Sequence, residues 1–412
     1  MAPSTKTAPR SPTPLPYPGT EALREYTHAL IPWQLGHHFP TAPVPKKETC
    51  PDRELKAALR PPREHVLLLG LGDGALAAAL AKALPAERTL TVCTLNPADV
   101  RPTLAEQAPW WSDGRHTILA DTSPRAILLL LHAFGRNPAQ CTMILNSTLS
   151  EEERQTHRAL QRLLLKTERL EPDTQPALSG NPEDVTIAAI LHPDEPRLEE
   201  FFAAIPAWAR EMIVVWDADA PPTPRPDAAC PTRHLARRLN KDFAAQRNVA
   251  LAHAQGEWIF FLDSDERLAA EDWAALPGLT ARARTLGAGG VAWPRMTFWP
   301  DEEHVLAGFG LWPDLQLRLM PVSPGLRFER PVHEVVVGLP GPVLIDAGRQ
   351  IRHYSRLFKN PEALAAKLRV FDGAAGQRLH RLNDTYPTLP TEFMRRVSAA
   401  FRHHALLRLR AL

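Results

Sequence analysis

The stretch Trp258-Ile259-Phe260-Phe261-Leu262-Asp263-Ser264-Asp265-Glu266 constrains this chain more than any other. Five consecutive large apolar residues read as a strand buried on both faces. Asp263, Asp265 and Glu266 follow at once. A sheet interior does not hold bare carboxylates, because an unpaired buried charge is very costly. The strand therefore ends at a sheet edge or crevice. Alternation puts Asp263 and Asp265 on the same side, so both can face one cation. In an α/β sheet, ligands bind at the carboxyl ends of strands. The pattern points to a divalent-metal site that receives a phosphorylated ligand. The plain alternative is a solvated turn that caps the next helix. An isolated D-x-D favours that turn; the buried strand ahead of it reverses the preference.

A chain of 412 residues has room for two domains with a sizeable core in each. Lys+Arg 48 against Asp+Glu 46 leaves a net charge of +2, so no global field points to nucleic acid. The cysteines (Cys50, Cys93, Cys141, Cys230) are scattered without a C-x-x-C pair. Neither a zinc site nor a disulfide framework follows, which suits a reducing cytoplasm. No segment approaches the ~18–20 apolar residues that cross a bilayer. The amino terminus lacks the apolar region of a signal peptide. A cytoplasmic protein is expected, with peripheral membrane association left open.

Residues 1–18 are rich in Pro, Ser and Thr and read as disordered. Residues 19–170 read as a Rossmann-like α/β domain. Its strands are expected at His65–Leu69, Thr89–Leu95, Thr117–Ala120 and Cys141–Leu145, alternating with helices, the last over Ser150–Leu170. Residues 171–183 have linker composition. A second α/β domain spans 184–358, with strands at Val185–Leu191, Met212–Trp216 and Trp258–Leu262, and a helix over Lys241–Ala254. Residues 359–412 read as a helical tail. The fold class is α/β: two Rossmann-like domains and that tail.

An ordered series of short motifs runs through the second domain. It comprises Ile213-Val214-Val215-Trp216-Asp217, Asp242-Phe243-Ala244-Ala245-Gln246-Arg247-Asn248 and Phe260-Phe261-Leu262-Asp263-Ser264-Asp265-Glu266. It continues through Leu317-Arg318-Leu319-Met320, Gly325-Leu326-Arg327-Phe328, Val332-His333-Glu334 and Ile351-Arg352-His353-Tyr354. Each piece is weak alone; the whole order resembles a family 2 glycosyltransferase with the A-type nucleotide-sugar fold. The resemblance covers about Asp184–Lys359.

The resemblance implies transfer of a sugar from a nucleotide diphosphate, with UDP expected, to an acceptor hydroxyl. It implies inversion at the sugar. Negative charge grows on the leaving diphosphate, and a cation on carboxylates can neutralise it. Asp263 and Asp265 offer hard oxygens suited to Mg²⁺ or Mn²⁺, and the resemblance adds His353 as the third ligand. It places Asp217 at the uracil or ribose and Arg247 with Asn248 at the nucleotide end, alongside Asp263. It makes Glu334 the general base. Each has a plain reading: a loop Asp, a buried Arg paired with a carboxylate, a surface charge cluster, a strand histidine. The acceptor could be a glycan, a lipid-linked glycan or a protein side chain. The 218–231 loop and the Trp293–Trp312 region, the latter rich in Trp and Phe, are expected to shape the sugar and acceptor pockets.

In the first domain, Gly70-x-Gly72-x-Gly74 between a strand and a helix resembles the first loop of Rossmann-like methyltransferases. The ribose-binding acid expected after the second strand is Asn96 instead. Asp121 would suit an adenine contact. A non-catalytic domain that binds a partner or acceptor is favoured over a methyltransferase, since glycine turns also serve packing. In the tail, Phe393, Met394, Val397, Phe401, Leu406 and Leu409 repeat at helical spacing among arginines. Such a helix can pack on its own domain, join a second copy or lie on an anionic membrane; packing is favoured. Two rivals remain: a methyltransferase using the Gly70–Gly74 loop, and a non-catalytic nucleotide-sugar-binding module.

Overall fold

The computed structural model describes residues 19–31, 52–60, 63–100, 110, 114–171, 184–358, 386–401 and 405–409. The expected disordered start at 1–18, residues 172–183 of the linker and residues 359–385 of the tail lie outside the described residues.

The first domain is a four-stranded parallel sheet. Its order is Thr117–Ala120, Thr89–Thr94, His65–Leu69, Thr142–Leu145. The first and last expected helices are both there. Ala75–Ala83 follows the glycine loop, and Glu151–Lys166 begins with a capping box between Ser150 and Glu153. The second helix is shorter than the expected Ser150–Leu170. Thr167–Leu170 is a strand that pairs with Leu406–Leu409. The chain thus enters the second sheet before the expected linker.

That second sheet has nine strands. Thr232–Ala236, Glu211–Trp216, Val185–Leu191 and Trp258–Phe261 run parallel in that spatial order. Gln316–Pro321 then pairs antiparallel with Trp258–Phe261. Gly290–Trp293, Val343–Ile345, Leu406–Leu409 and Thr167–Leu170 complete the far side. The Trp258–Phe261 strand is buried on both faces, as its composition demands. Phe260 packs on Trp293 and Trp273, with ring centroids 4.8 and 5.5 Å away. Phe261 faces Phe328 on the other side at 5.2 Å.

The tail holds the expected helix over Thr391–Ala399, preceded by a short strand, Thr388–Pro390. Leu406 and Leu409, read as continuing the helical spacing, lie on a strand instead, because the sheet edge at Val343–Ile345 recruits them. Phe393, Met394 and Val397 are buried in a core that also contains Leu67, Leu128, Trp312 and Ile345. The helix therefore spends its apolar face on its own chain, in a core common to both domains. Among the described residues no helix is long and apolar enough to cross a membrane.

Candidate active site

The parallel strands end together, and their carboxyl ends carry the expected residues. Asp217 follows Glu211–Trp216, and its Oδ1 accepts from the Leu239 amide at 2.7 Å. Asp263 and Asp265 follow Trp258–Phe261. A small three-stranded sheet, Glu266–Arg267, Ile351–His353 and Arg295–Thr297, stands beside them. Its register sets His353 opposite both Glu266 and Thr297. This sheet brings a residue from late in the chain to the D-x-D turn.

His353 Nε2 lies 3.6 Å from Asp265 Oδ1, and its Nδ1 is 2.8 Å from Thr297 Oγ1. The Tyr354 amide donates to the Asp265 carbonyl at 2.8 Å, which ties the two strands at this point. One ring nitrogen is thus anchored and the other faces a buried carboxylate, the usual support for a metal-binding histidine.

Asp263 is placed differently. Its Oδ1 is 3.2 Å from Arg247 Nη2, and its Oδ2 is 2.6 Å from Arg318 Nη2. Burial opposes its charge, but Arg318, Arg247 and Arg295 outweigh that and hold its carboxyl far below the ordinary range. Arg318 also reaches Glu266 Oε1 at 2.6 Å, and Arg295 bridges Glu266 to Asp314. Burial pushes the Glu266 carboxyl up despite these arginines. Asp263 and Asp265 therefore do not converge as a matched pair: one faces arginines, the other a histidine. Among the described residues no three His, Cys, Asp or Glu side chains gather to hold a metal.

Glu334 sits beyond Asp263, on the same arginine. Arg247 Nε donates to Glu334 Oε1 at 2.9 Å. The guanidinium also lies over the rings of Phe261 and Phe328, 5.2 and 5.7 Å from their centroids. Arg330 and His333, just ahead of Glu334, have φ of 71° and 55°. Left-handed backbone at two non-glycine residues persists only where the surroundings impose it. Asn248 exchanges two hydrogen bonds with the Phe328 backbone, at 2.9 and 2.8 Å. Its amide ties the Phe243–His253 helix to the hairpin that carries Glu334.

The sequence reading gave Arg318, Arg295 and Glu266 no role. A signal was there: Arg318 is a lone charge inside the apolar run Leu317–Met320. A buried arginine needs a carboxylate partner.

In the first domain, the expected cofactor residues are otherwise engaged. A Cβ on Gly70 would lie 2.4 Å from Leu149 Cδ1, and Asn146 Nδ2 donates to the Gly70 and Leu71 carbonyls. The glycine loop is closed against residues 146–149. Asn96 caps the short turn Pro97–Asp99. Asp121 receives the Tyr26 hydroxyl and, at 2.7 Å, the Ser123 amide.

Comparison with known proteins bears on the second domain. Residues 187–296 match the family model Glycosyl transferase family 2, so this segment of the second domain is similar to glycosyltransferases of that family. A TPR repeat-containing protein of Synechococcus elongatus is 30% identical over 152 residues, 37% of this chain and 35% of its own. The chain thus spans about a third of that curated relative's length. Staphylococcus aureus TarS overlaps 46% of this chain and 39% of its own at 14% identity and a TM-score of 0.28. TarS 1–349 in complex with UDP-GlcNAc overlaps 53% and 72% at 13% identity and a TM-score of 0.29. At such scores the overlaps carry no argument about fold or ligand.

Proposed function

We propose that the protein transfers a sugar from a nucleotide diphosphate donor, with UDP the expected nucleotide, to an acceptor hydroxyl. The observation that supports this best is the arrangement at the end of the Trp258–Phe261 strand. There Asp265 faces His353 on one side, and Arg247 joins Asp263 to Glu334 on the other. The donor's ribose end is assigned to Asp217 and Asp263. Asp265 and His353 would hold a divalent cation, and one oxygen with one imidazole nitrogen favours Mn²⁺ over Mg²⁺. Such an ion, when bound, supplies charge neutralisation to the departing diphosphate.

Glu334 takes the acceptor proton. Its Oε1 is held by Arg247, which leaves Oε2 to receive the proton as the new bond forms. Arg247 acts by fixing that carboxylate, and Asn248 by holding the hairpin. Displacement in line, with inversion, follows from the family resemblance. Glycans, lipid-linked glycans and protein side chains all present a suitable hydroxyl.

The test is thermal stabilisation by a panel of nucleotide sugars, with and without Mn²⁺, on the native protein and on Asp265→Asn. A shift for one donor that needs Mn²⁺ and vanishes in the variant supports the reading and identifies the donor. No shift with any donor, beside a clear one with S-adenosylmethionine, would move the chemistry to the Gly70–Gly74 loop.

A further inference from the structure

Residues 307–315 link the strand His304–Leu306 to the strand Gln316–Pro321. The carboxyl end of this loop is tied to the site. Asp314 pairs with Arg295 at 2.6 Å, and Arg295 reaches Glu266 at 3.3 Å. Its amino end is tied to the other domain. Tyr26 donates its hydroxyl to the Asp121 carboxylate, and the backbone amides of Gly308 and Phe309 lie beside these two groups. The Tyr26 ring packs 6.4 Å from Trp312 and 5.9 Å from Phe393. Tyr26, Asp121 and Trp312 are all fully buried.

Two further features show that the loop is held rather than resting. Phe309 and Asp314 have φ of 51° and 36°, left-handed values that a non-glycine residue keeps only under constraint. At Gly308, φ is +70° and a Cβ would lie 2.5 Å from Leu30 Cδ2, so the Thr20–Leu30 helix presses directly on the loop backbone. Asp121 stands at the carboxyl end of Thr117–Ala120, where an α/β domain ordinarily binds its ligand. Here that position is filled by a tyrosine of its own domain and by the backbone of the other.

We propose that Tyr26 and Asp121 are positioning residues for the transfer reaction, and that the first domain uses its ligand-binding edge to hold loop 307–315 beside the donor site. The role in transfer rests on the glycosyltransferase reading; the anchoring does not. The Asp121 carboxylate is buried and already accepts from the Tyr26 phenol and the Ser123 amide, so it is engaged within its own domain. Leu30 against Gly308 and the Tyr26 ring against Trp312 hold the loop, while Arg295 ties Asp314 at its other end to Glu266.

The test uses the full chain with Tyr26→Phe and, as a second variant, Asp121→Ala. Hydrogen exchange is followed in peptides covering 307–315, and transfer is assayed with p-nitrophenyl glycosides as acceptor probes. Tyr26→Phe is expected to speed exchange in that loop about tenfold, and to leave the Trp258–Phe261 strand protected. It raises the acceptor KM several-fold, with donor KM within twofold of the native value. Unchanged exchange in both variants, or a rise spread evenly over the chain, would overturn the anchoring. A loosened loop with unchanged acceptor KM would overturn the role in transfer. A native protein inert towards every donor, with its loop still loosened by Tyr26→Phe, counts against the transferase reading and supports the anchoring.

Discussion

Arg247 Nε lies 2.9 Å from Glu334 Oε1, while the same guanidinium reaches Asp263 through Nη2 at 3.2 Å. One cation therefore joins the residue assigned to the donor and the residue assigned to the acceptor proton. Two phenylalanine rings flank it, so it cannot swing away without losing packing. Glu334→Gln keeps the shape and a hydrogen-bonding oxygen but removes the basic carboxylate. The expected result is a fall in kcat of roughly 10²–10⁴-fold, with donor binding retained. Steady-state kinetics beside donor titration checks it; equal activity in the variant would remove Glu334 from the mechanism.

Arg318 makes a different kind of contribution. It is buried between Asp263 and Glu266, each 2.6 Å away. Arg318→Met fills the space and leaves carboxylates without their cation. Breaking one side of a buried ion network costs about 3–5 kcal/mol. Urea unfolding should show that loss, and Arg318→Met with Glu266→Gln together should recover part of it. Additive losses in the pair would mean that Arg318 and Glu266 do not act as a unit.

How much of this site was legible follows from where its residues sit in the chain. The D-x-D turn was readable because an apolar run cannot continue into carboxylates. Asp217 was readable for the same reason at the end of Glu211–Trp216. His353 was not readable from spacing, since it reaches Asp265 only through the short sheet with Glu266 and Thr297; the ordered family motifs supplied it. That Asp263 and Asp265 face one side was read from alternation, which says which side a residue faces and not which arginine meets it there. Thr167–Leu170 was read as helix because its partner strand, Leu406–Leu409, lies at the far end of the chain. Local propensity carries no trace of such a partner.

The pH dependence of stability has a definite sign. Burial pushes the Asp121 carboxyl up to about 7, against the opposing hydrogen bonds from Tyr26 and the amides. Burial likewise raises Asp272 to about 7, opposed by Arg349. Between the unfolded value near 4 and about 7, the native state keeps protons that the unfolded chain has released. Stability from these groups is therefore full below pH ~4 and falls as pH rises towards ~7. Asp263 works oppositely: its carboxyl is held low, so its contribution is present above pH ~4 and lost as pH falls. Urea midpoints measured from pH 4.5 to 8 should decline. Asp121→Asn should flatten that decline by at most about 4 kcal/mol, and a slope unchanged in the variant would place the titration elsewhere.

Gly70 separates the packing role of the glycine loop from a cofactor role. Its φ is +92°, and an added Cβ would lie 2.4 Å from Leu149 Cδ1. Gly70→Ala should therefore destabilise the protein by about 1–3 kcal/mol through overpacking and backbone strain. If the clash with Leu149 dominates, Gly70→Ala with Leu149→Ala costs less than the sum of the two single changes. A loop built to approach a cofactor predicts something else: S-adenosylmethionine would raise the melting temperature of the native protein and not of Gly70→Ala. Thermal unfolding of the native protein and both variants, with and without S-adenosylmethionine, decides between them. The expected outcome is non-additive stability loss and no stabilisation by the cofactor. A clear shift for the native protein would show that residues 146–149 move aside, and that the closed loop described here opens to a ligand.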